Sequence, residues 1–272
     1  MMKLLLITCP VTRHQYTANA IAEALPVDGV ILQHRGRSKD QTAWSAKETE
    51  LSAEHFRKRD EAEDRVLGPL GHTLRVQPQA KILDVHGNSL SAPETEAFVR
   101  GIAPDVIVTL GCTIVGPKLR LGTKVCFNLH LGMSPRYRGA AGFFWPIYNM
   151  DPERIATSIL ILEDNIDGGP IVHHSRPDMS ATDGVHDIAC KTIVAGASDL
   201  VRVLKWVAAG NDLVTVPQKR VGRVYYEADY HPRHLNVTHA VMKDGLIADY
   251  LAHKTERDKD LGRELVRNPG LE

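Results

Sequence analysis

The sequence predicts an α/β fold, a doubly wound and mostly parallel sheet with a small C-terminal α+β appendage. Three observations carry that expectation. Short apolar runs rich in Leu, Ile and Val alternate with stretches of helical spacing. "PDVIVTLG" is a continuous β-branched run, as expected of a strand covered on both faces. Beyond "AAGND" the texture changes to short β-like pieces, placing a catalytic-type core at 1–210 and a small module at 211–272.

Taken in order, "KLLLITCP" reads as a buried strand. "RHQYTANAIAEAL" follows as a helix, with Ala18, Ile21, Ala22 and Leu25 on one face, and "GVILQH" is the second strand. Residues 37–69 break this rhythm with a highly charged insertion, expected as one or two solvated helices. Alternation resumes at "AKILDVHG". Ser91, Pro93 and Glu94 resemble a capped helix start, with the helix ending near Gly101. "KVCFNLH" is the next strand, then a helix at 143–148 and strands at "ATSILILE" and "GPIVHHSRP". The longest helix spans 182–209, where Val185, Ile188, Thr192, Ile193, Gly196, Leu200 and Leu204 keep a 3.6 period. "VTVP" and "RVYYE" are short strands, one amphipathic helix follows, and the last, charged residues are expected to fray.

Composition excludes several classes. Formal net charge is zero and hydrophobic residues make up 43%, so no basic surface recruits nucleic acid or an anionic membrane. "LLLIT" is too short for a signal-peptide core or a membrane span, and the four scattered cysteines lack a CxxC pair, which points to a cytoplasmic protein with reduced thiols. None of the thirteen histidines stands in HExxH, so no metal is expected. "ITCPVTRHQYTAN" contains no glycine, which removes the dinucleotide fingerprint and with it a nicotinamide dehydrogenase.

The chemistry gathers at strand ends. In "CFNLHLGMSPRYRG" the period of a strand points Asn128 and His130 the same way. "LGCTIV" runs from a buried strand into a turn with little polar side-chain chemistry, and "EDNIDGGPI" is an acidic loop pinched by two glycines. An amide donor suits a developing oxyanion, an imidazole suits proton transfer near neutrality, and Asp167 is a carboxylate able to hold an imidazolium. G-x-S-x-G is absent, so the expected chemistry is acyl transfer by direct attack of an external amine.

Asn-x-His, the "PRYRGAA" loop and Asp-Gly-Gly, in this order on these elements, resemble the folate-dependent formyltransferase family. The resemblance covers roughly residues 80–205 well and the first strand–helix unit loosely. It implies that Asn128, His130 and Asp167 are the catalytic trio and that 10-formyltetrahydrofolate is the donor. It also implies that the pterin lies against the backbone of Cys112, Thr113, Ile114 and Val115 and the loop holding Asp164, Asn165 and Ile166. Arg136, Arg138, Gly139 and Trp145 are the candidates for acceptor binding: the arginines for anionic groups, the tryptophan for stacking.

Departures from family patterns bear on the acceptor. Leu131 and Gly132 stand where other members carry different residues after the histidine, and the first strand lacks a Gly- and Asn-rich phosphate loop. Together with neutral charge, the small C-terminal module is most similar to the sugar-nucleotide N-formyltransferases. The expected partner is therefore a small-molecule amine, an amino-sugar nucleotide, with no nucleic acid and no membrane, and a homodimer through the C-terminal tail is implied only by resemblance. Methionyl-tRNA, hydroxyornithine, a peptide amine, glycinamide ribonucleotide, or a folate-binding relative that transfers nothing or hydrolyses remain alternatives.

Overall fold

The computed structural model describes residues 2–36, 44–87, 89–219, 222–268 and 271. Part of the charged insertion (37–43) and a few residues near the C-terminus lie outside the described residues. The chain opens with β1 (Leu4–Thr8), α1 (Thr12–Ala24) and β2 (Gly29–His34). The insertion follows as α2 (Ala46–Val66) and the short α3 (Gly68–Gly71). Next come β3 (Lys81–His86), α4 (Pro93–Ile102), β4 (Val106–Leu110), α5 (Pro117–Arg120) and β5 (Val125–His130). β6 (Tyr137–Gly139), α6 (Phe144–Tyr148), β7 (Thr157–Ile161), β8 (Ile171–Ser175) and α7 (Val185–Ala208) complete the central part. The rest is β9 (Arg223–Tyr225), α8 (His234–Lys243), α9 (Leu246–Ala252) and α10 (Lys254–Leu261).

The expected fold class is observed. Seven strands form one sheet in the order β3-β2-β1-β4-β5-β7-β8. The first five run parallel, β7 runs antiparallel to them, and β8, antiparallel to β7, returns to their direction. β1 is buried along its whole length because helices cover both faces. Leu4 and Leu6 pack with Ala18, Ile21, Leu200 and Leu204 from α1 and α7, while Leu5 and Ile7 meet Leu90, Val99 and Leu119 on the other side. Each fully buried Leu or Ile here contributes roughly 1.5–3 kcal/mol against exposure. Strand order reverses between β1 and β4, so the crevice at their carboxyl ends is where such a sheet binds ligands.

Three local expectations need correction. The capping box lies at Ser45 and Glu48, which starts α2, and not at Ser91. α4 begins two residues after Ser91, at Pro93 with Ala92 as the cap, so the Ser91 side chain is out of position. The insertion helix is solvated on one face only: Ser52, His55, Ala62 and Glu63 are buried against the fold. Among the described residues the C-terminal segment holds three helices instead of one, and the tail is held in place as far as Asn268. His174 N–H donates to Val266 O at 2.8 Å and Asn268 N–H donates to His173 Nδ1 at 3.1 Å, so the tail covers the edge of β8. Leu271 lies in the central core. Charge misled the reading here, because Glu264 is paired with Arg136 and Arg154 and not solvated.

Candidate active site

β5 builds the floor of the site. Phe127 and Leu129 bury into the α1/α7 side of the sheet, and Cys126 packs on the opposite side. Asn128 and His130 continue the face of Cys126, where they meet a cavity of about 940 Å³. Thr109 of β4, opposite Asn128 in the ladder, places its hydroxyl 3.0 Å from Asn128 Oδ1 and 3.1 Å from the Phe127 carbonyl. That contact fixes the amide so that its NH2 points toward Asp167.

Asp167 is the hub. Its Oδ1 accepts from Asn128 Nδ2 at 2.7 Å, and its Oδ2 accepts from the Gly139 N–H at 2.8 Å. Oδ2 also lies 3.1 Å from His130 Nδ1. The other ring nitrogen, Nε2, lies 2.7 Å from the Tyr137 carbonyl. Two acceptors thus face an imidazole that is only 6% exposed, and a neutral ring has one N–H to offer them.

Asp167 reaches this position through an uncommon backbone, with φ at +44° in the left-handed region. Two side chains from elsewhere hold it there: the Ser134 hydroxyl donates to the Asp167 carbonyl at 3.2 Å and Gln218 Nε2 donates to it at 2.7 Å. Gln218 also donates to the Gly169 carbonyl at 2.8 Å. Strain of this kind persists where surrounding contacts over-determine it. Gly132 has a steric reason of its own. A Cβ there would sit 2.5 Å from both His130 Nε2 and the Tyr137 carbonyl, so glycine permits the ring to reach that carbonyl.

The remaining expected residues divide. Cys112, Thr113, Ile114, Val115, Asp164, Asn165 and Ile166 all line the same cavity, as does Gly139. Gln33 holds the first loop, accepting from the Thr113 N–H at 2.9 Å. Ile114 and Ile166 are exposed large apolar side chains, 65% and 38%, on the cavity wall. The Cys112 thiol is pushed up to about 12 by burial, so no thiolate nucleophile stands in the cavity. Asp164 is paired with Arg120.

Arg136, Arg138 and Trp145, expected at the acceptor, do not line this cavity. Arg136 is committed to Glu264 at 2.6 Å. Trp145 is 4% exposed, stacks on Tyr225 with centroids 4.5 Å apart, and donates to the Ala140 carbonyl. Arg138 lies beside Gly168. The pairing of β9 with β6 covers this segment, a long-range contact that no local pattern announces. Sequence reading missed the cavity residues on α1 and α2, among them Arg13, His55, Phe56, Arg59 and Glu63, because the charged insertion looked like a solvated face. The apolar and aromatic members at helical spacing were the available signal. Among the described residues no group of three or more His, Cys, Asp or Glu could hold a metal ion, and no helix is long and apolar enough to cross a membrane.

The formyl transferase family model matches residues 38–204, more than half of the chain. This chain belongs to the formyl transferase family. It is 31% identical over 157 residues to a methionyl-tRNA formyltransferase of Cereibacter sphaeroides, covering 56% of this chain and 51% of that protein. It is 27% identical over 201 residues to that of Kosmotoga olearia, covering 68% and 62%. The chain thus spans about half the length of the curated relatives it matches. Similar solved structures include a 4-N formyltransferase from Francisella tularensis, with TM-score 0.54 and 16% identity over 84% of this chain and 78% of that one. Another is an N-formyltransferase from Helicobacter canadensis in complex with folinic acid and dTDP-3-aminofucose, with TM-score 0.54 and 15% identity over 85% and 73%. At these identities the likeness concerns the fold.

Proposed function

We propose that this family member is an N-formyltransferase that moves a formyl group from 10-formyltetrahydrofolate, in the cytoplasm, to the primary amine of an amino-sugar nucleotide. The observation that carries the reading is the hydrogen-bonded cluster of Asn128, His130 and Asp167 on the floor of a cavity roomy enough for a donor and an acceptor side by side. The folate would supply an activated formyl carbonyl. The loops around Ile114 and Ile166 would hold its pterin, and the exposed apolar pair there supports the fit.

Each residue then has a task. Asn128 has two amide hydrogens, and Asp167 takes one. The second is available to a carbonyl oxygen that gains negative charge as an amine attacks, a contribution worth about 10²–10³ in rate. His130, facing two acceptors, takes up the proton that the attacking amine must lose and passes it toward the departing nitrogen, worth about 10²–10⁴. Asp167 orients both groups through its two carboxylate oxygens.

The amino-sugar reading is supported by neutral overall charge and by a cavity walled on the acceptor side by α2 and α7. The likeness in sequence to methionyl-tRNA formyltransferases favours a second reading, in which initiator tRNA is the acceptor. The test is a panel assay with 10-formyltetrahydrofolate and amino-sugar nucleotides, methionyl-tRNA, hydroxyornithine or glycinamide ribonucleotide, read by mass gain of one formyl group. Efficient use of an amino-sugar nucleotide alone is expected. Efficient formylation of methionyl-tRNA with none of the sugars would end the proposal.

A further inference from the structure

One side of the cavity has a chemistry the trio does not use. α2 contributes His55 and Phe56, α6 contributes Phe144, α7 contributes His186, and the segment after β9 contributes Tyr226 and Tyr230. All six rings line the cavity. Five of them contact one another: His55 lies 4.5 Å from His186 between centroids, Phe144 lies 5.6 Å from Tyr230 and 6.4 Å from His55, and Phe56 lies 6.1 Å from Tyr230. Phe56, His186 and Tyr230 nonetheless stay half-buried, so part of each remains accessible.

Charge on this side is internally satisfied. Glu63, 6% exposed, pairs with Arg13 at 2.8 Å and with Arg59 at 3.8 Å. Arg59 also pairs with Asp60, and its guanidinium lies 4.8 Å from the centre of the Phe56 ring. Burial, aided by the Arg59 charge, holds His186 down at about 4, so it stands as a neutral ring at neutral pH. An anionic group would find little net attraction among these residues. An uncharged ring would find aromatic faces and the polar edges of two imidazoles.

The placement relative to the chemistry is direct. Ala62 and Leu67 at the end of α2 pack with Leu131 and Phe143, and Leu131 follows His130 in the chain. Arg65 at the same end is paired with Asp187 of α7, tying the two helices together. The α2 end of this wall therefore borders the space next to His130, while Glu227 between Tyr226 and Tyr230 pairs with Arg35, which donates to the Gly111 carbonyl.

We infer that the inserted helix α2, with α7 and the Tyr226–Tyr230 segment, forms a ring-stacking subsite for an uncharged ring of the acceptor, with Phe56, His186 and Tyr230 as specificity-determining residues. The inference rests on the proposed formyltransferase reading and names which part of the acceptor this side holds. The stacked ring has two sources, the pyranose that carries the amine or the nucleobase. Stacking of this kind is lost on truncation to alanine with a penalty corresponding to about 5- to 150-fold.

The test uses the full chain, with dTDP-3-aminofucose as acceptor probe and folinic acid as donor analogue, both followed by calorimetry, together with transfer kinetics. Phe56→Ala and His186→Ala are expected to weaken dTDP-3-aminofucose binding, and to raise its KM, by about tenfold or more. Folinic acid affinity and kcat should stay within about threefold, and Phe56→Tyr, which keeps the ring, should restore acceptor affinity. dTDP alone separates the two sources: weaker dTDP binding in Phe56→Ala assigns the base, and unchanged dTDP binding assigns the pyranose. Variants that keep wild-type affinity for the sugar nucleotide, or lose folinic acid binding instead, would overturn the subsite alone. A wild-type protein that binds folinic acid but not dTDP-3-aminofucose would overturn the subsite together with the amino-sugar reading. Should Phe56→Ala fail to fold, Phe56→Leu, which keeps the volume and removes the ring, decides by the same readouts.

Discussion

Replacing Asp167 with Asn changes one atom and reverses the direction of one hydrogen bond, which makes it the sharpest probe of the site. In the wild type both carboxylate oxygens accept: Oδ1 from Asn128 Nδ2, and Oδ2 from the Gly139 N–H with His130 Nδ1 alongside. An asparagine has a single acceptor oxygen. If that oxygen keeps Gly139 and His130, the new NH2 faces the NH2 of Asn128. Asn128 must then turn over, presenting Oδ1 to residue 167 and its amide hydrogens to Thr109. The hydrogen aimed at the reacting carbonyl is lost as a result. If the new oxygen faces Asn128 instead, the NH2 meets the Gly139 N–H and His130 loses its charged partner. Either way one of two functions goes, worth about 10²–10³ for the oxyanion donor or about 10²–10⁴ for the acid–base group. Because the three residues act as a unit, the losses overlap instead of multiplying. We expect kcat to fall by about 10³, folinic acid affinity to change less than about threefold, and stability to drop by roughly 1–2 kcal/mol. Asp164→Asn is the control: that side chain is 73% exposed and bound to Arg120, so it should cost little in kcat. The assay is formyl-amine production by mass spectrometry beside calorimetric folate binding and urea unfolding. An Asp167→Asn enzyme within tenfold of wild-type kcat, or an Asp164→Asn enzyme more damaged than it, would refute the reasoning.

Other outcomes follow from the same contacts. Asn128→Ala should lower kcat by at least ~10² with little change in acceptor KM, and a rise in KM alone would make Asn128 a binding residue. Gly132→Ala places a methyl 2.5 Å from His130 Nε2 and should depress kcat by ~10-fold or more, with near-normal turnover showing that the ring's seat is not critical. Gln218→Ala removes the Nε2 bonds to the Asp167 and Gly169 carbonyls, leaving only the Ser134 hydroxyl on the former, and should lower kcat before it lowers folinic acid affinity, a split read from steady-state kinetics beside calorimetry. Stability should fall in acid because of His174, whose value burial pushes down to about 4. Its Nε2 donates to the Ser134 carbonyl at 2.9 Å and its Nδ1 accepts from the Val266 N–H at 3.0 Å, so the neutral ring is fully matched. The unfolded chain takes up this proton below about 6.5, so the stabilisation is complete above that pH and disappears as pH falls toward 4, a loss of roughly 3 kcal/mol. Urea midpoints measured across that window should slope downward in acid, and more shallowly in His174→Gln.

Much of the architecture was legible locally. The β-α alternation, the strand boundaries near Leu4–Thr8 and Val106–Leu110, and the shared face of Asn128 and His130 all follow from periods of 2 and 3.6, which are properties of a few adjacent residues. Tertiary structure decided what those periods cannot carry. The turn of Asp167 toward His130 depends on Ser134 and on Gln218, which arrives from the C-terminal segment to hold a left-handed backbone. Arg136 and Trp145, candidates for acceptor binding by residue type, are engaged by Glu264 and Tyr225, partners that no local pattern announces. The charged insertion became a cavity wall because its buried face found α7, and the charged tail became ordered because β8 left an edge to be paired. In each case the deciding partner lies far away in sequence, and only closure of the chain brings the two together, satisfying charges and backbone groups that would otherwise face water.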